Sequence, residues 1–400
     1  MPENTPTDAV IVAAARTPIG TAYKGALRHT TAMELAHLIV DEARKRSGLP
    51  PEQIDDIILA ESNYGGGDLA RHAAITAGMT QVPGQAVNRH CAGSLTAIGN
   101  AAAAVISGAE RVVIAGGVQS SSTAPEQRFR TPGSLDEYTE RWMSPSHPDT
   151  ADAPNMDMSI TVGWNTAVES GITREEMDIW ALRSHQRALA AIDSGLFADE
   201  IVPVSALGPD GSRVAFTTDE HPRRGSTAEK LASLKVLHPE IDGFSVTAGN
   251  SSGINDAAAA VVVARREIAE SEGLEILGTV RSWAASAVEP ARTGLAVLEV
   301  IPKVLERAGI TVADVARWEI NEAFASVPIA ACTKLGIDED LVNTSGSGCS
   351  LGHPVAASGA RMIVTMIHEL RRRGGGYGVA AMCAGGGQAG AVVIDVPITQ

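Results

Sequence analysis

Strand-like and helix-like segments alternate through the first 120 residues and again after Gly253, and this alternation restricts the fold more than any other feature of the chain. Asp8 to Ala14 is an apolar run of strand length, closed by the turn residues Arg16-Thr17-Pro18-Ile19-Gly20. Thr31 to Arg46 carries Leu35, Leu38 and Ile39 at helical spacing, and Gly48 and Pro50-Pro51 beyond it are stop signals. Ile54 to Ala60 predicts a strand, and Ala92 to Ser107 a helix closed by Gly108. Arg111 to Ala115 predicts a strand ending in a turn at Gly116-Gly117. Later, Asp256 to Val263 is apolar, Gly278 to Ala284 and Val315 to Ile320 predict strands, and Leu295 to Ala308 predicts a helix. Ala356 to Arg373 predicts a helix and Gly378 to Met382 a strand before the turn Gly385-Gly386-Gly387. The pattern is that of a mostly parallel sheet covered by helices.

Between residues 122 and 243 the rhythm breaks. Ser120 to Asn155 is rich in Ser, Thr, Pro and charge, but a helix over Arg174 to Ser194 follows, opened by a capping box of Thr173 and Glu176. The region therefore reads as an inserted loop domain and not as a disordered linker. On either side of it the chain resembles itself. Asn88-Arg89-His90-Cys91 precedes a long helix, a strand and glycines; Asn343 to His353 precedes the same series. A duplicated α/β unit follows. The expected division is 1–121 with 244–272, then 122–243, then 273–400, since 400 residues exceed one ordinary domain.

Composition narrows the function classes. With 32 basic and 47 acidic residues the formal charge is −15, which argues against nonspecific nucleic-acid binding but not against an anionic ligand held by a local basic spot. No apolar run reaches the roughly 18–20 residues of a membrane span. Met1 to Asp8 is polar, with no basic n-region and no apolar h-region of a secretory signal. Four cysteines, Cys91, Cys332, Cys349 and Cys383, form no C-x-x-C pair, so neither a disulfide scaffold nor a metal site is expected; a reducing cytoplasm is the default.

Cys91 lies at the start of a predicted helix, where the partial positive charge lowers a thiol pKa and makes a nucleophile. It reads equally as a buried structural thiol. His353, between Gly352 and Pro354 before a helix, is framed as a base or as a capping residue. Cys383 ends a strand and enters Gly385-Gly386-Gly387, whose N–H groups are free to converge as an oxyanion hole; otherwise it is a strand-end thiol. Asn321 offers an amide donor to an oxyanion or a water, or serves as an N-cap. Gly346, Gly348 and Gly352 mimic a dinucleotide fingerprint, but Pro354 interrupts it, and no P-loop run exists.

Taken together, these motifs resemble the thiolases, which make or cleave 3-ketoacyl-CoA with coenzyme A. The resemblance spans Ala15-Arg16-Thr17-Pro18-Ile19-Gly20, Asn88 to Cys91, Thr247 to Asp256, Asn321-Glu322-Ala323-Phe324, Gly352-His353-Pro354 and Cys383 to Gly387, in the family's order. It implies two duplicated α/β halves in a layered αβαβα arrangement with a loop domain inserted in the first. It implies that Cys91 is acylated, that His353 takes its proton, and that Cys383 exchanges a proton at the α-carbon. Asn321, through a water, and His353 would form one oxyanion hole, and the N–H groups of Cys91 and Gly385 the other. Ser252 would contact pantetheine, Arg223 the nucleotide end of CoA, and Phe324 and Met158 the acyl-CoA substrate. Arg223-Arg224 would be the local basic spot.

The same resemblance implies acetyl-CoA and CoA as substrates, no permanently bound cofactor, and a homodimer or homotetramer. Three positions depart from the family pattern: Ser347 and Ala356 stand where glycine is usual, and Met158 where acetoacetyl-CoA thiolases carry histidine. A degradative enzyme for longer or branched chains is therefore expected. The alternatives are a biosynthetic acetoacetyl-CoA thiolase and a non-catalytic acyl-CoA-binding homologue, which would be expected to lose Cys91, Cys383 or His353. A ketosynthase, the nearest enzymatic rival, typically has a second histidine where Cys383 stands.

Overall fold

The structure, a computed structural model, describes residues 4–62, 64, 68–141, 146–208 and 210–398. The first alternating stretch forms β1 (Ala9–Arg16), β2 (Gly20–Thr21), α1 (Ala32–Ser47), β3 (Asp56–Ala60), α2 (Leu69–Thr76), β4 (Gln85–Val87), α3 (Gly93–Ser107) and β5 (Val112–Gln119). The middle region holds a hairpin of β6 (Arg128–Arg130) and β7 (Tyr138–Arg141), then a π-helical turn, Ser159–Trp164. α4 (Asn165–Ser170), α5 (Arg174–Asp193), a hairpin of β8 (Val204–Leu207) and β9 (Arg213–Phe216), and α6 (Ala228–Ala232) complete it. The last stretch forms β10 (Asn255–Arg265), α7 (Arg266–Ser271), β11 (Gly278–Ala287), α8 (Val297–Ala308), β12 (Val315–Ile320), α9 (Ser326–Leu335), α10 (Ser358–Arg372), β13 (Gly376–Ala384) and β14 (Gln388–Val396).

Local signals act where the sequence places them. Thr31 and Glu34 close a reciprocal capping box on α1, and Gly48 ends it at φ 74°. Thr173 and Glu176 do the same for α5. Two expectations are corrected. β5 runs straight through Gly116 and Gly117 instead of turning there. These glycines permit close approach: a Cβ on Gly116 would lie 2.1 Å from the Ala259 carbonyl oxygen, and one on Gly117 1.9 Å from that of Ala356. The sheet is also mixed, not mostly parallel. Only β3–β4, β3–β5 and β12–β13 pair parallel, because β10 and β14 return antiparallel beside β5 and β13.

The strand order is β12-β13-β14-β11-β1-β10-β5-β3-β4, with β2 on β10. It contains the same unit twice: β1-β10-β5-β3 repeats as β11-β14-β13-β12 with identical strand senses. α1 and α8 connect the first and second strands of each unit in chain order, and α3 and α10 precede β5 and β13. Strand alternation sorts the side chains into layers. Ala258, Ala260 and Val262 of β10 pack with α1 and α2, whereas Val261 and Val263 pack with α3 and α10. Ala380 and Met382 of β13 face the same central helices; Val379, Ala381 and Cys383 face α8 and α9. The result is helix, sheet, helix, sheet, helix, with α3 and α10 as the buried middle layer.

Candidate active site

Cys91 precedes α3, whose N-cap is Ala92. His90 takes the left-handed conformation (φ 45°), and its N–H donates to Asn88 Oδ1 at 2.8 Å, so the chain turns sharply into the helix with the thiol at its start. The backbone N–H groups of Cys91 and of Gly385 address the sulfur. The helix-start placement is as expected, but the expected lowering of the thiol pKa is not: burial outweighs the two N–H groups and pushes the thiol up to about 11. At neutral pH Cys91 rests as a thiol and needs a base.

Cys383 lies inside β13, opposite Ala389 of β14, and is almost wholly buried. Burial, and then the charge of the neighbouring Cys91, push its thiol pKa up. The two thiols thus share one site. The glycine turn connects β13 to β14 as predicted, but its three N–H groups do not converge on one point. Gly385 N–H serves Cys91, while Gly387 N–H donates to Thr293 Oγ1 at 2.9 Å. The Gly385 carbonyl accepts from Gln388 Nε2 at 3.1 Å, which fixes the peptide that follows it.

His353 is buried, its N–H donating to Asn255 Oδ1 at 3.0 Å and its Nδ1 lying 2.7 Å from Ser358 Oγ. Burial, and then the Arg361 charge, lower its pKa to about 4, so the imidazole is neutral at pH 7 and able to accept a proton. Asn321 follows β12, its N–H donating to the Ala381 carbonyl at 3.0 Å. It is not an N-cap, since α9 begins five residues later at Ser326 with Ala325 as its cap. Its Nδ2 lies 3.4 Å from Nδ1 and 3.5 Å from Nε2 of His353. Near-equal distances mean that the amide is in line with neither ring lone pair. Its Oδ1 is buried and has no hydrogen-bond partner among the described residues, so the amide retains capacity for a water or a substrate oxygen.

Phe324 bridges to Ser251, and Ser252 N–H donates to the Ala323 carbonyl at 2.9 Å. Phe324 and Cys383 belong to one apolar cluster, against which Met158 packs from the start of the π-helical turn. Glu322 ties the middle region to this end of the molecule: it accepts from Trp180 Nε1 at 2.9 Å, Ser184 Oγ at 2.6 Å and Asn343 Nδ2 at 2.8 Å. Arg223 is exposed, and its guanidinium has no ion-pair partner among the described residues. The expected pair of free arginines is reduced to this one, because Asp193 holds Arg224 through bonds of 2.9 and 2.5 Å. Sequence reasoning gave no separate role to Asn255, inside the Thr247 to Asp256 stretch, and missed Thr293, Ser358 and Gln388; all four are polar residues that brace the site, and the last three stand in no recognisable motif. Among the described residues no cluster of three or more His, Cys, Asp or Glu is placed to hold a metal, and no helix is long and apolar enough to cross a membrane.

Comparison with known proteins establishes the family. The thiolase N-terminal domain model matches residues 9–267 and the thiolase C-terminal domain model residues 274–396. The chain is 39% identical to an acetyl-CoA acetyltransferase of Cupriavidus necator, over 97% of this chain and 99% of that one. It is 38% identical to a 3-ketoacyl-CoA thiolase of Bacillus subtilis, with the same coverage. The crystal structure of the Bacillus anthracis acetyl-CoA acetyltransferase superposes with a TM-score of 0.88 at 37% identity, covering 97% of this chain and 98% of that one. A partly buried and a buried cysteine at one site, a duplicated layered fold and matches along nearly the whole chain lead to one assignment: this protein belongs to the thiolase family.

Proposed function

We propose that the chain is a thiolase-type acyltransferase that moves an acyl group between CoA and acetyl-CoA through an acyl-enzyme on Cys91. The observation that carries the proposal is the meeting of the Cys91 and Gly385 N–H groups at the Cys91 sulfur, with the Cys383 thiol beside it. In the synthetic direction His353 takes the thiol proton, the sulfur adds to the thioester carbonyl of an acyl-CoA, and those two N–H groups stabilise the oxyanion. Its collapse breaks the substrate C–S bond and releases CoA, which takes the proton from His353. In the second half-reaction Cys383 removes a proton from the α-carbon of acetyl-CoA, and Asn321, through a water, and His353 stabilise the enolate oxygen. The α-carbon attacks the acyl carbonyl and expels Cys91, which is reprotonated; thiolysis runs the same steps in reverse. A site of two thiols and one neutral imidazole suits a ping-pong transfer without a resident cofactor.

Ser252 and Arg223 are assigned to the pantetheine and nucleotide ends of CoA, and Phe324 and Met158 to the acyl group. Met158 supports a degradative role on chains longer than acetoacetyl-CoA, since a flexible apolar side chain offers packing where a histidine would offer a hydrogen bond. The departures at Ser347 and Ala356 leave the catalytic set alone. Ser347 Oγ accepts from Arg361 Nη2 at 2.9 Å, and Ala356 N–H donates to Gln119 Oε1 at 3.3 Å. The three-part division of residues 1–121 with 244–272, 122–243 and 273–400, a homodimeric or homotetrameric assembly and a cytoplasmic location belong to the same proposal. Thiolysis of 3-ketoacyl-CoA substrates of increasing length, with mass spectrometry of the trapped intermediate, tests it. No thiolysis at any length, or an acyl group on a residue other than Cys91, would refute it.

A further inference from the structure

The hydroxyl of Ser358 has two oxygen or nitrogen neighbours but only one proton. Its Oγ lies 2.9 Å from the Pro354 carbonyl oxygen and 2.7 Å from His353 Nδ1. Of these two oxygens only the hydroxyl can donate, and it donates to the carbonyl, which also accepts the N–H groups of Ala357 and Ser358 at 2.9 Å. With that proton spent on Pro354, Oγ meets Nδ1 as an acceptor, so Nδ1 must carry the imidazole proton. In a neutral imidazole the other nitrogen is then bare. The neighbouring Asn321 amide does not overturn this, because it lies almost equally far from both ring nitrogens. The main chain that carries the ring is held in place, since the His353 N–H donates to Asn255 Oδ1 at 3.0 Å. Ser358 is itself buried as the first residue of α10.

We infer that Ser358 is a positioning residue that holds His353 with its proton on Nδ1 and leaves Nε2 free to take the Cys91 proton. This rests on His353 being the base. The wrong tautomer places a proton where the thiol proton must go, so Cys91 cannot be activated. The serine's role is therefore separable from α10 stability: it decides which nitrogen is available while touching no substrate.

The test has two arms. In the first, histidine ¹⁵N NMR of the wild-type protein reads the tautomer directly, with His353→Asn supplying the assignment by difference. A proton on Nδ1 is expected; a proton on Nε2 overturns the inference, whatever the activity. In the second, Ser358→Ala and Ser358→Thr are compared in acylation of Cys91 by acetyl-CoA. Ser358→Ala is expected to lose on the order of 10²-fold in the acylation rate with KM changed by less than about threefold, and Ser358→Thr, which keeps the hydroxyl, to recover most of it. An unchanged acylation rate in a folded Ser358→Ala protein overturns the inference. If His353→Asn acylates at the wild-type rate, the base assignment fails instead, and the NMR arm still decides the tautomer.

Discussion

The two halves share a scaffold and differ in what they place at its end. The register Ala60↔Gly117 in the first half matches Ile320↔Ala381 in the second. Two residues beyond the glycine stands Gln119; two beyond Ala381 stands Cys383. One residue beyond β3 stands Glu61; one beyond β12 stands Asn321. In the first half these positions are structural. Gln119 Oε1 accepts from Ser62 Oγ at 2.8 Å and from the Ala356 N–H, and Glu61 accepts from the Leu69 N–H at 3.0 Å. In the second half the same positions carry the proposed chemistry, one as a thiol and one with an amide oxygen that has no hydrogen-bond partner among the described residues. The connections differ as well. From β13 to β14 the chain needs three glycines, whereas from β5 to β10 it travels through residues 120–254 and delivers Met158, Arg223 and Ser252. Duplication thus supplies a frame, and divergence leaves Cys91 in one half and its proposed base, His353, with the second thiol, Cys383, in the other.

The largest expected effect comes from Cys91, the proposed nucleophile, in the first half. Cys91→Ser should cut turnover by roughly 10⁴-fold or more and abolish the trapped acyl group, because a hydroxyl is a poor nucleophile at neutral pH. Intact-mass analysis after mixing with acetyl-CoA checks it. Cys383→Ala should separate the halves: acylation of Cys91 persists, while deuterium wash-out from labelled acetyl-CoA falls by roughly 10²–10⁴-fold. Near-normal wash-out would mean that the second half does not supply the α-carbon base.

Acid should also distinguish the regions. His185, His353 and His368 are each lowered to about 4, chiefly by burial, and lie outside the first half, where burial lowers His90 as well. Between pH 6.5 and about 4 the unfolded chain binds more protons at these sites than the folded one, so stability rises with pH and is lost on acidification. Glu319, pushed up to about 8 chiefly by burial, acts in the opposite sense over this interval because the folded carboxyl keeps a proton that the unfolded chain loses, so a net loss of about 1–3 kcal/mol between pH 7 and 5 is expected, with hydrogen exchange accelerating in α5 and α10 before β1, β3 and β5. Uniform acceleration would contradict the regional assignment. Gly117→Ala should cost about 1–3 kcal/mol, since its Cβ would press on the Ala356 carbonyl where the halves meet; urea denaturation measures it. The smallest effect concerns the acyl group. Each buried methylene is worth roughly 0.8 kcal/mol, so kcat/KM should rise several-fold per added carbon up to a medium chain length, and Met158→His should flatten that rise. Kinetics on four-, six-, eight- and ten-carbon substrates decide it, a steep four-carbon preference counting against Met158.

What the sequence determined by itself is the local order. Thr31 with Glu34 and Thr173 with Glu176 cap helices wherever they occur, because a capping box closes within four residues. The apolar runs of β1 and β5 are strands by their length and β-branched content, and the order of motifs around Cys91, Asn321, His353 and Cys383 carried the family resemblance. Tertiary structure alone decided what depends on groups far apart in the chain. Gly116-Gly117 look like a turn until Ala259 and Ala356 arrive beside them. Helix-start placement predicts an acidic thiol at Cys91, yet burial, to which layers distant in sequence contribute, reverses the direction. Arg224 is a free cation in the sequence and an ion pair once α5 brings Asp193 to it. Ser358 gains a role only when the turn after His353 sets its hydroxyl between a carbonyl and an imidazole. Periodicity and capping are short-range and survive in one dimension; desolvation, close approach and proton placement belong to the assembled neighbourhood.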